Sequence, residues 1–489
     1  MVPVELAPVP PSLRTDLLIG GTWRPSGSGR TFEVLDPASG APIAEVADAS
    51  PEDGTAALAA AHDAWPAWRA TPPRVRSEVL REVWERITAR TEEFAALITA
   101  EGGKPLSEAR AETAYGAEFV RWFSEQAVRI TGTVRTAPGG ANRQMVLHRP
   151  VGPALLITPW NFPLAMATRK AAPALAAGCP VVIKPAGYTP LTTLLFAEVV
   201  REVLAERDLP TGVINVVPTS EPAALTEPLL TDPRLRKLSF TGSTEVGRGL
   251  LRGAARQVLR TSMELGGNAP FLVFEDADLD DAVTGAMVAK MRNSGQTCVA
   301  ANRFLVHASV AEAFAEKLAA AFDELVVGPG WHEGTTVGPL IRPSAVDSVD
   351  AVVADAVDRG ARVVRGGTRP DLAGYFYTPT VLRGVPADAR ASTEEIFGPV
   401  APIVTFADED EALRLANATP FGLVAYAYTR DVGRAFRLAE QVEAGMLGLN
   451  RGLVSDPSAP FGGIKASGLG REGGEQGIEE YLDTTYVAI

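Results

Sequence analysis

The sequence predicts an α/β fold built from two parallel-sheet units and a β arm, and three observations predict it. A chain of 489 residues exceeds what one hydrophobic core usually supports. Apolar strand-like runs alternate with helical ones from Ala154 to Thr241, the pattern of a parallel sheet with helices on both faces. A second series of the same kind restarts near Met263.

The elements follow in chain order. The first 50 residues carry short apolar alternations broken at Gly20-Gly21 and Ser26-Gly27-Ser28-Gly29, which read as short strands and loops. Ser50-Pro51 is a cap followed by a first-turn proline, and apolar residues from Val75 to Ile98 then recur at helical spacing. This region breaks at Gly102-Gly103, and a further helix is expected from Leu106 to about Ile130. Residues 131 to 149, around Pro138-Gly139-Gly140, have the short alternation of a protruding hairpin, a candidate subunit-contact arm. Strands are expected at Ala154–Thr158, Val181–Lys184, Val213–Val217 and Lys237–Thr241, with helices at Pro163–Ala177 and Thr189–Arg207 between them. The second series has a strand at Pro270–Phe274, a helix at Leu279–Met291, a strand at Phe304–His307, a helix at Val310–Leu325, and further segments at Ala361–Arg365 and Ile403–Phe406.

Charge narrows the partners. A net charge of −13 argues against general binding to nucleic acid or to an anionic membrane, so an anionic small substrate would need local arginines. No apolar run reaches the length of a membrane span. Two cysteines far apart give no disulfide framework, and Met1 to Pro11 lacks the basic and apolar regions of a secretory leader, so a reducing cytoplasm is the expected location.

Of the two cysteines, Cys298 carries the chemical signal. Its segment, Asn293-Ser294-Gly295-Gln296-Thr297-Cys298, is small and polar, whereas Cys179 lies in an apolar run ending Val181-Val182-Ile183 and reads as a small core residue. The string Gly468-Leu469-Gly470-Arg471-Glu472-Gly473 matches a dinucleotide fingerprint, but only 16 residues follow it, too few for the rest of that unit, so it reads as a loop. The stretch Leu238 to Gly247 is the better phosphate site, since a strand runs through Gly242 and Ser243 into a helix start. An ordinary turn capped by Ser243 explains the same residues equally well. Lys184 and Trp160-Asn161 each follow a strand at the carboxyl edge of the sheet, where ligands collect. Asn161 has two competing uses, as donor to an oxyanion or as cap of the helix after Pro163. Glu264 lies beside Gly266-Gly267, where backbone or ligand can approach closely, although an isolated glutamate is usually solvated. Four histidines show no metal-ligand spacing, so no metal is expected, and His307 is assigned a structural role.

Together these strings, from Gly20-Gly21 to the C-terminus, resemble the aldehyde dehydrogenase superfamily, and within it the branch that oxidises succinic semialdehyde. The resemblance implies an aldehyde dehydrogenase-like fold with two Rossmann-like parallel-sheet domains and a β oligomerisation arm. It implies a cofactor domain of residues 1–130 and 150–261, a catalytic domain of 262–445, and an arm of 131–149 with 471–489 that forms homodimers or homotetramers. Cys298 is implied to be the nucleophile that forms a thiohemiacetal and then a thioester, Glu264 the base that activates water, and Asn161 with the Cys298 N–H the oxyanion hole. Cofactor contacts are implied at Trp160, Lys184, Gly187, Gly242, Ser243, Leu265, Glu395 and Phe397. Position 187 bears on the choice of cofactor, because members preferring NAD often carry glutamate there. With glycine, NADP is expected to be accepted and preferred, with NAD open. Arg169, Arg292 and Ser455 match the substrate pocket, and two arginines suit one carboxylate, so the expected substrate is a short ω-semialdehyde acid. Ala300 stands where some relatives carry a second cysteine, which removes a local disulfide, and Arg451 adds a charge that either tunes the pocket or sits on the surface. Competing expectations are another ω-semialdehyde acid such as glutaric semialdehyde, a CoA-acylating enzyme, and a non-redox cysteine hydrolase, which would lack a histidine base.

Overall fold

The computed structural model describes Val9 and residues 13–489, so the leader reading of Met1 to Pro11 lies outside the described residues apart from Val9. The helical region that follows begins at Pro51–Ala70, where Ser50 and Asp53 close a capping box on the first turn. The long run resolves into three helices, with Pro73–Ala89 and Thr91–Gly102 following the first, and ends at Gly103 in a left-handed conformation. The next helix, Leu106–Gln126, continues as a short 3-10 turn through Arg129.

The first sheet has eight strands in the order Thr22–Arg24, Leu17–Ile19, Ile214–Val216, Val181–Lys184, Ala154–Ile157, Lys237–Thr241, Arg260–Glu264 and Gly468–Leu469. The inner five are parallel and the edges antiparallel. Alternation along the strands sorts side chains to two cores. Ala154, Leu156, Val181 and Ile183 face the helices from Val79 to Leu204, while Leu155, Val182, Leu238 and Phe240 face Leu58, Leu225 and Leu229. A strand buried on both faces needs a nearly continuous apolar run, which is why these strands are legible in sequence. Strand order reverses between Ala154–Ile157 and Lys237–Thr241, and the crevice at the carboxyl ends of that pair is where ligands bind in open α/β sheets.

The second sheet has seven strands in the order Arg362–Arg365, Thr380–Arg383, Val400–Phe406, Ala301–His307, Ala269–Val273, Val424–Tyr428 and Met446–Leu449, all parallel but the first. Here Phe271 and Val273 face one core and Leu272 and Phe274 the other. Thr380–Arg383, Val424–Tyr428 and Met446–Leu449 complete the sheet beyond the sequence expectation. The hairpin at 131 to 149 forms as Thr133–Thr136 paired with Arg143–Pro150, and Leu482–Ala488 adds antiparallel on its other side. No helix among the described residues is long and apolar enough to cross a membrane.

Candidate active site

The site lies at the reversal of the first sheet. The loop after Ile157 delivers Trp160 and Asn161, and the turn after Thr241 delivers Gly242 and Ser243. Two pockets share Trp160, Gly242 and Ser243, and Asn161 lines only the first. One is a cavity of about 340 Å³ whose lining includes Asn161, Arg169, Glu264, Arg292, Cys298 and Ser455, and the other a groove of about 780 Å³ whose lining includes Lys184.

Cys298 reaches the cavity through a tight turn. Asn293, Ser294 and Gly295 all take positive φ, at 52°, 55° and 77°, between the helix Leu279–Met291 and the strand Ala301–His307. Such strained non-glycine residues persist only where surroundings hold them. The buried Gln296 side chain does so, its Oε1 accepting from the Ile341 N–H at 3.0 Å and its Nε2 donating to the Pro339 carbonyl at 3.2 Å. Burial pushes the Cys298 thiol up to about 12 against the pull of Arg169, with Glu395 and Glu264 adding to the rise. Cys179 is pushed equally high by burial, so exposure separates the two: Cys298 is half-buried on the cavity wall, and Cys179 is sealed in the core with its sulfur 3.4 Å from the Tyr481 carbonyl.

Asn161 is not the helix cap. Phe162 holds that position with no side-chain bond, and the Asn161 amide instead donates to the carbonyl of Gln296 at 3.0 Å, two residues before Cys298. Of its two N–H groups one is thereby used and the other is available in the cavity. Its backbone carbonyl accepts from Lys104 Nζ at 2.8 Å and Asn293 Nδ2 at 3.1 Å.

Glu264 ends the strand Arg260–Glu264 and is not solvated. It is buried, and neither carboxylate oxygen has a hydrogen-bond partner among the described residues. Burial, and then the charge of Glu472, hold its carboxyl well above the usual range, and Arg169 and Lys170 only partly offset this. Glu472 shows the opposite balance, because Lys170 and Arg169 outweigh burial and keep it below the usual range. The segment Gly468–Gly473 is not a plain loop: Gly468–Leu469 is the edge strand beside Glu264, Gly468, Gly470 and Gly473 hold φ of 144°, 83° and 68°, and the turn delivers Glu472 to the site.

The two arginines differ. Arg169 is buried, ion-paired to Glu472 at 2.6 Å, and lies over the Phe461 ring at 4.1 Å. Arg292 is half-buried, lies over Phe162 at 4.7 Å and Tyr115 at 5.4 Å, and has no carboxylate within ion-pair distance among the described residues. Arg451 is exposed and lines neither pocket, which favours its surface reading.

The implied cofactor residues line one pocket or the other, Gly187 excepted. Lys184 sits in the groove with its amine pulled down to about 8 by burial and no anion beside it, an arrangement that suits an incoming phosphate or ribose. Glycine at 242 leaves room for the Phe240 ring, which a Cβ there would approach to 2.5 Å and have to displace. Ser243 caps the helix Thr244–Ala254 through the Val246 N–H at 3.4 Å, leaving the first N–H groups of that helix beside the groove. Glu395 accepts from the Gly267 N–H at 3.1 Å, and burial raises its carboxyl to about 7. Phe397 meets Trp160 edge to face at 5.5 Å, and Leu265 donates its N–H to Ser467 at 2.8 Å. At Gly187 an added Cβ would lie 3.5 Å from the Thr219 carbonyl, an ordinary contact, so a side chain fits.

The aldehyde dehydrogenase family model matches residues 23–487. The chain is 58% identical over 447 residues to a succinate-semialdehyde dehydrogenase of Paenarthrobacter nicotinovorans, covering 91% of this chain and 98% of that one. It is 47% identical to an NADP(+) succinate-semialdehyde dehydrogenase of Escherichia coli K12, covering 97% and 98%. The crystal structure of a succinate-semialdehyde dehydrogenase from Burkholderia pseudomallei superposes with a TM-score of 0.96 at 47% identity, covering 98% and 99%. A site assembled from both sheets around Cys298, on a fold and sequence matched almost end to end, places the chain in the aldehyde dehydrogenase family.

Proposed function

We propose that the chain oxidises succinic semialdehyde to succinate with NADP or NAD, and that Cys298, Glu264 and Asn161 carry the chemistry. The observation that carries this reading is one cavity in which the accessible thiol, a partnerless buried carboxylate and an oriented amide meet two arginines. The relatives named above bear that activity in their names.

In this scheme the Cys298 sulfur, having lost its proton, bonds to the aldehyde carbon, and the carbonyl oxygen becomes an oxyanion held by Asn161 Nδ2 and the Cys298 N–H. Bound nicotinamide supplies the acceptor for the hydride that leaves this carbon. The resulting thioester is attacked by water as Glu264 takes the water's proton, which releases the acid and restores the thiol. Lys184, the helix start after Ser243, and Glu395 hold the cofactor, with Trp160, Gly242, Leu265 and Phe397 forming its walls and Gly187 leaving space at the adenosine end. Arg292, uncompensated, is the main grip on the substrate carboxylate, while Arg169 contributes charge already shared with Glu472, and Ser455 adds a hydroxyl.

The cofactor domain, residues 1–130 and 150–261, is read onto the first sheet and the catalytic domain, 262–445, onto the second, with the strands Arg260–Glu264 and Met446–Leu449 at the bounds. The three-stranded sheet is read as the oligomerisation arm. Among the described residues its outer strand Thr133–Thr136 is unpaired on one side, and Val134 and Ile489 are exposed, which suits a homodimer or homotetramer contact. Two unpaired cysteines fit a cytoplasmic enzyme.

The test is turnover followed at 340 nm with each cofactor and a panel of aldehydes. Production of NADPH or NADH from succinic semialdehyde without CoA supports the reading. Acid release without an absorbance change would mark a hydrolase, and a requirement for CoA an acylating enzyme.

A further inference from the structure

Lys104 lies just past the end of the helix Thr91–Gly102, is fully buried, and does not line the catalytic cavity. A buried lysine needs a reason, and here it has three contacts. It forms an ion pair with Glu112, itself buried. Its Nζ donates to the Asn161 backbone carbonyl at 2.8 Å, and it stands over the Phe162 ring at 4.0 Å. Glu112 continues the clamp on the other side of the same loop, where its Oε1 accepts from the Leu164 N–H at 3.0 Å and more weakly from the Ala165 N–H at 3.4 Å. These N–H groups open the helix Pro163–Ala177, whose Phe162 cap supplies no side-chain acceptor. One buried ion pair therefore grips the loop from Asn161 to Ala165 at both ends. The Asn161 carbonyl has a second donor, Asn293 Nδ2 at 3.1 Å, and the Asn293 N–H is held by Glu108 at 2.7 Å. Two donors on one carbonyl fix the plane of the following peptide, and with it the direction of the Asn161 side chain.

We propose that Lys104 is a positioning residue for the oxidation, setting the Asn161 amide against the developing oxyanion through this carbonyl, with Glu112 as its counter-ion. The proposal rests on the reading of Asn161 as an oxyanion donor. Lys104 lines neither the cavity nor the groove, so its loss acts on kcat and leaves substrate and cofactor binding intact. Misplacement of a catalytic group by about 1 Å is enough to cost on the order of a hundredfold in rate.

The experiment is a double-mutant cycle. Lys104→Met alone would strand the buried Glu112 charge, so the working variant is Lys104→Met/Glu112→Gln, checked for folding by its melting curve. A second variant, Asn293→Ala, removes the other donor to the Asn161 carbonyl, and with it a 3.2 Å bond to the Gln296 carbonyl, without disturbing the ion pair. Each is expected to lower kcat at least about tenfold while KM for aldehyde and Kd for cofactor stay within about twofold. In an Asn161→Ala background the same substitutions should cause no further loss, because the group they position is gone. Undiminished kcat in both variants, or an equal fold-loss in the Asn161→Ala background, overturns the positioning role. If Asn161→Ala alone leaves kcat unchanged, the oxyanion reading fails instead, and the two failures are distinguishable.

Discussion

The side-chain amide of Asn161 donates to the main-chain carbonyl of Gln296 at 3.0 Å, which ties the loop of the first sheet to the segment that carries Cys298. The amide is fixed before substrate arrives, so little reorganisation is needed when charge develops. Asn161→Ala should lower kcat by about a hundredfold to a thousandfold, the effect of losing one oxyanion donor, with KM changed only slightly. Steady-state kinetics at saturating cofactor decide it, and a loss confined to KM would assign Asn161 to binding.

Arg169 and Arg292 should separate by phenotype. Arg292 lies over Phe162 and has no carboxylate partner among the described residues, so Arg292→Ala should weaken kcat/KM for succinic semialdehyde by the worth of a charged hydrogen bond, about 1.5–3 kcal/mol, and leave butanal nearly unaffected. Arg169→Met removes one of the two cations beside buried Glu472, and breaking such a pair costs about 3 kcal/mol or more, so its signature is a lower Tm. A stable Arg169→Met enzyme with only a KM defect would reverse these assignments.

Gly187 decides a preference rather than an activity. Gly187→Glu fits without a backbone clash, since the nearest atom to a Cβ is the Thr219 carbonyl at 3.5 Å, an ordinary contact. Its carboxylate would face a 2′-phosphate with like charge, so the ratio of kcat/KM for NADP over NAD should fall by tenfold or more, on the scale of about 1.4 kcal/mol per factor of ten. An unchanged ratio would remove position 187 from the adenosine site.

The titrations run in one direction. Glu264 is held protonated well above the usual carboxylate range and the Cys298 thiol is raised to about 12, yet each acts only after losing its proton. Activity should therefore rise as pH increases through the neutral and alkaline range and fall toward acid. In Glu264→Gln the first turnover should survive while thioester hydrolysis slows, giving a burst of NADPH followed by a slow steady state. A Glu264→Gln enzyme with an unaltered steady state would exclude Glu264 as the base.

Much of the fold was legible because both sheets bury both faces. Val181–Lys184, Lys237–Thr241 and the helices Pro163–Ala177 and Leu279–Met291 form where apolar runs and their breakers put them. Cys298 stood out by its polar neighbours. The environment of Glu264 did not, because burial comes from distant chain: its charge partner Glu472 is over two hundred residues away, and local sequence gives a lone glutamate no sign of being enclosed. The same holds for Lys104, which meets Asn161 across 57 residues, and for Arg169, whose ion pair with Glu472 spans 303. The use of Asn161 was undecidable in sequence, since cap and oxyanion donor ask for the same residue type, and only the bond to Gln296 separates them.

A thiol-based aldehyde oxidation directed by a carboxylate-binding arginine must distinguish charged from uncharged aldehydes. The measurement that tests it most directly is kcat/KM for succinic semialdehyde against butanal, followed at 340 nm with saturating NADP. The expected result is a preference for the carboxylated aldehyde of tenfold or more, about 1.4 kcal/mol at least. Equal values for the two aldehydes would contradict it.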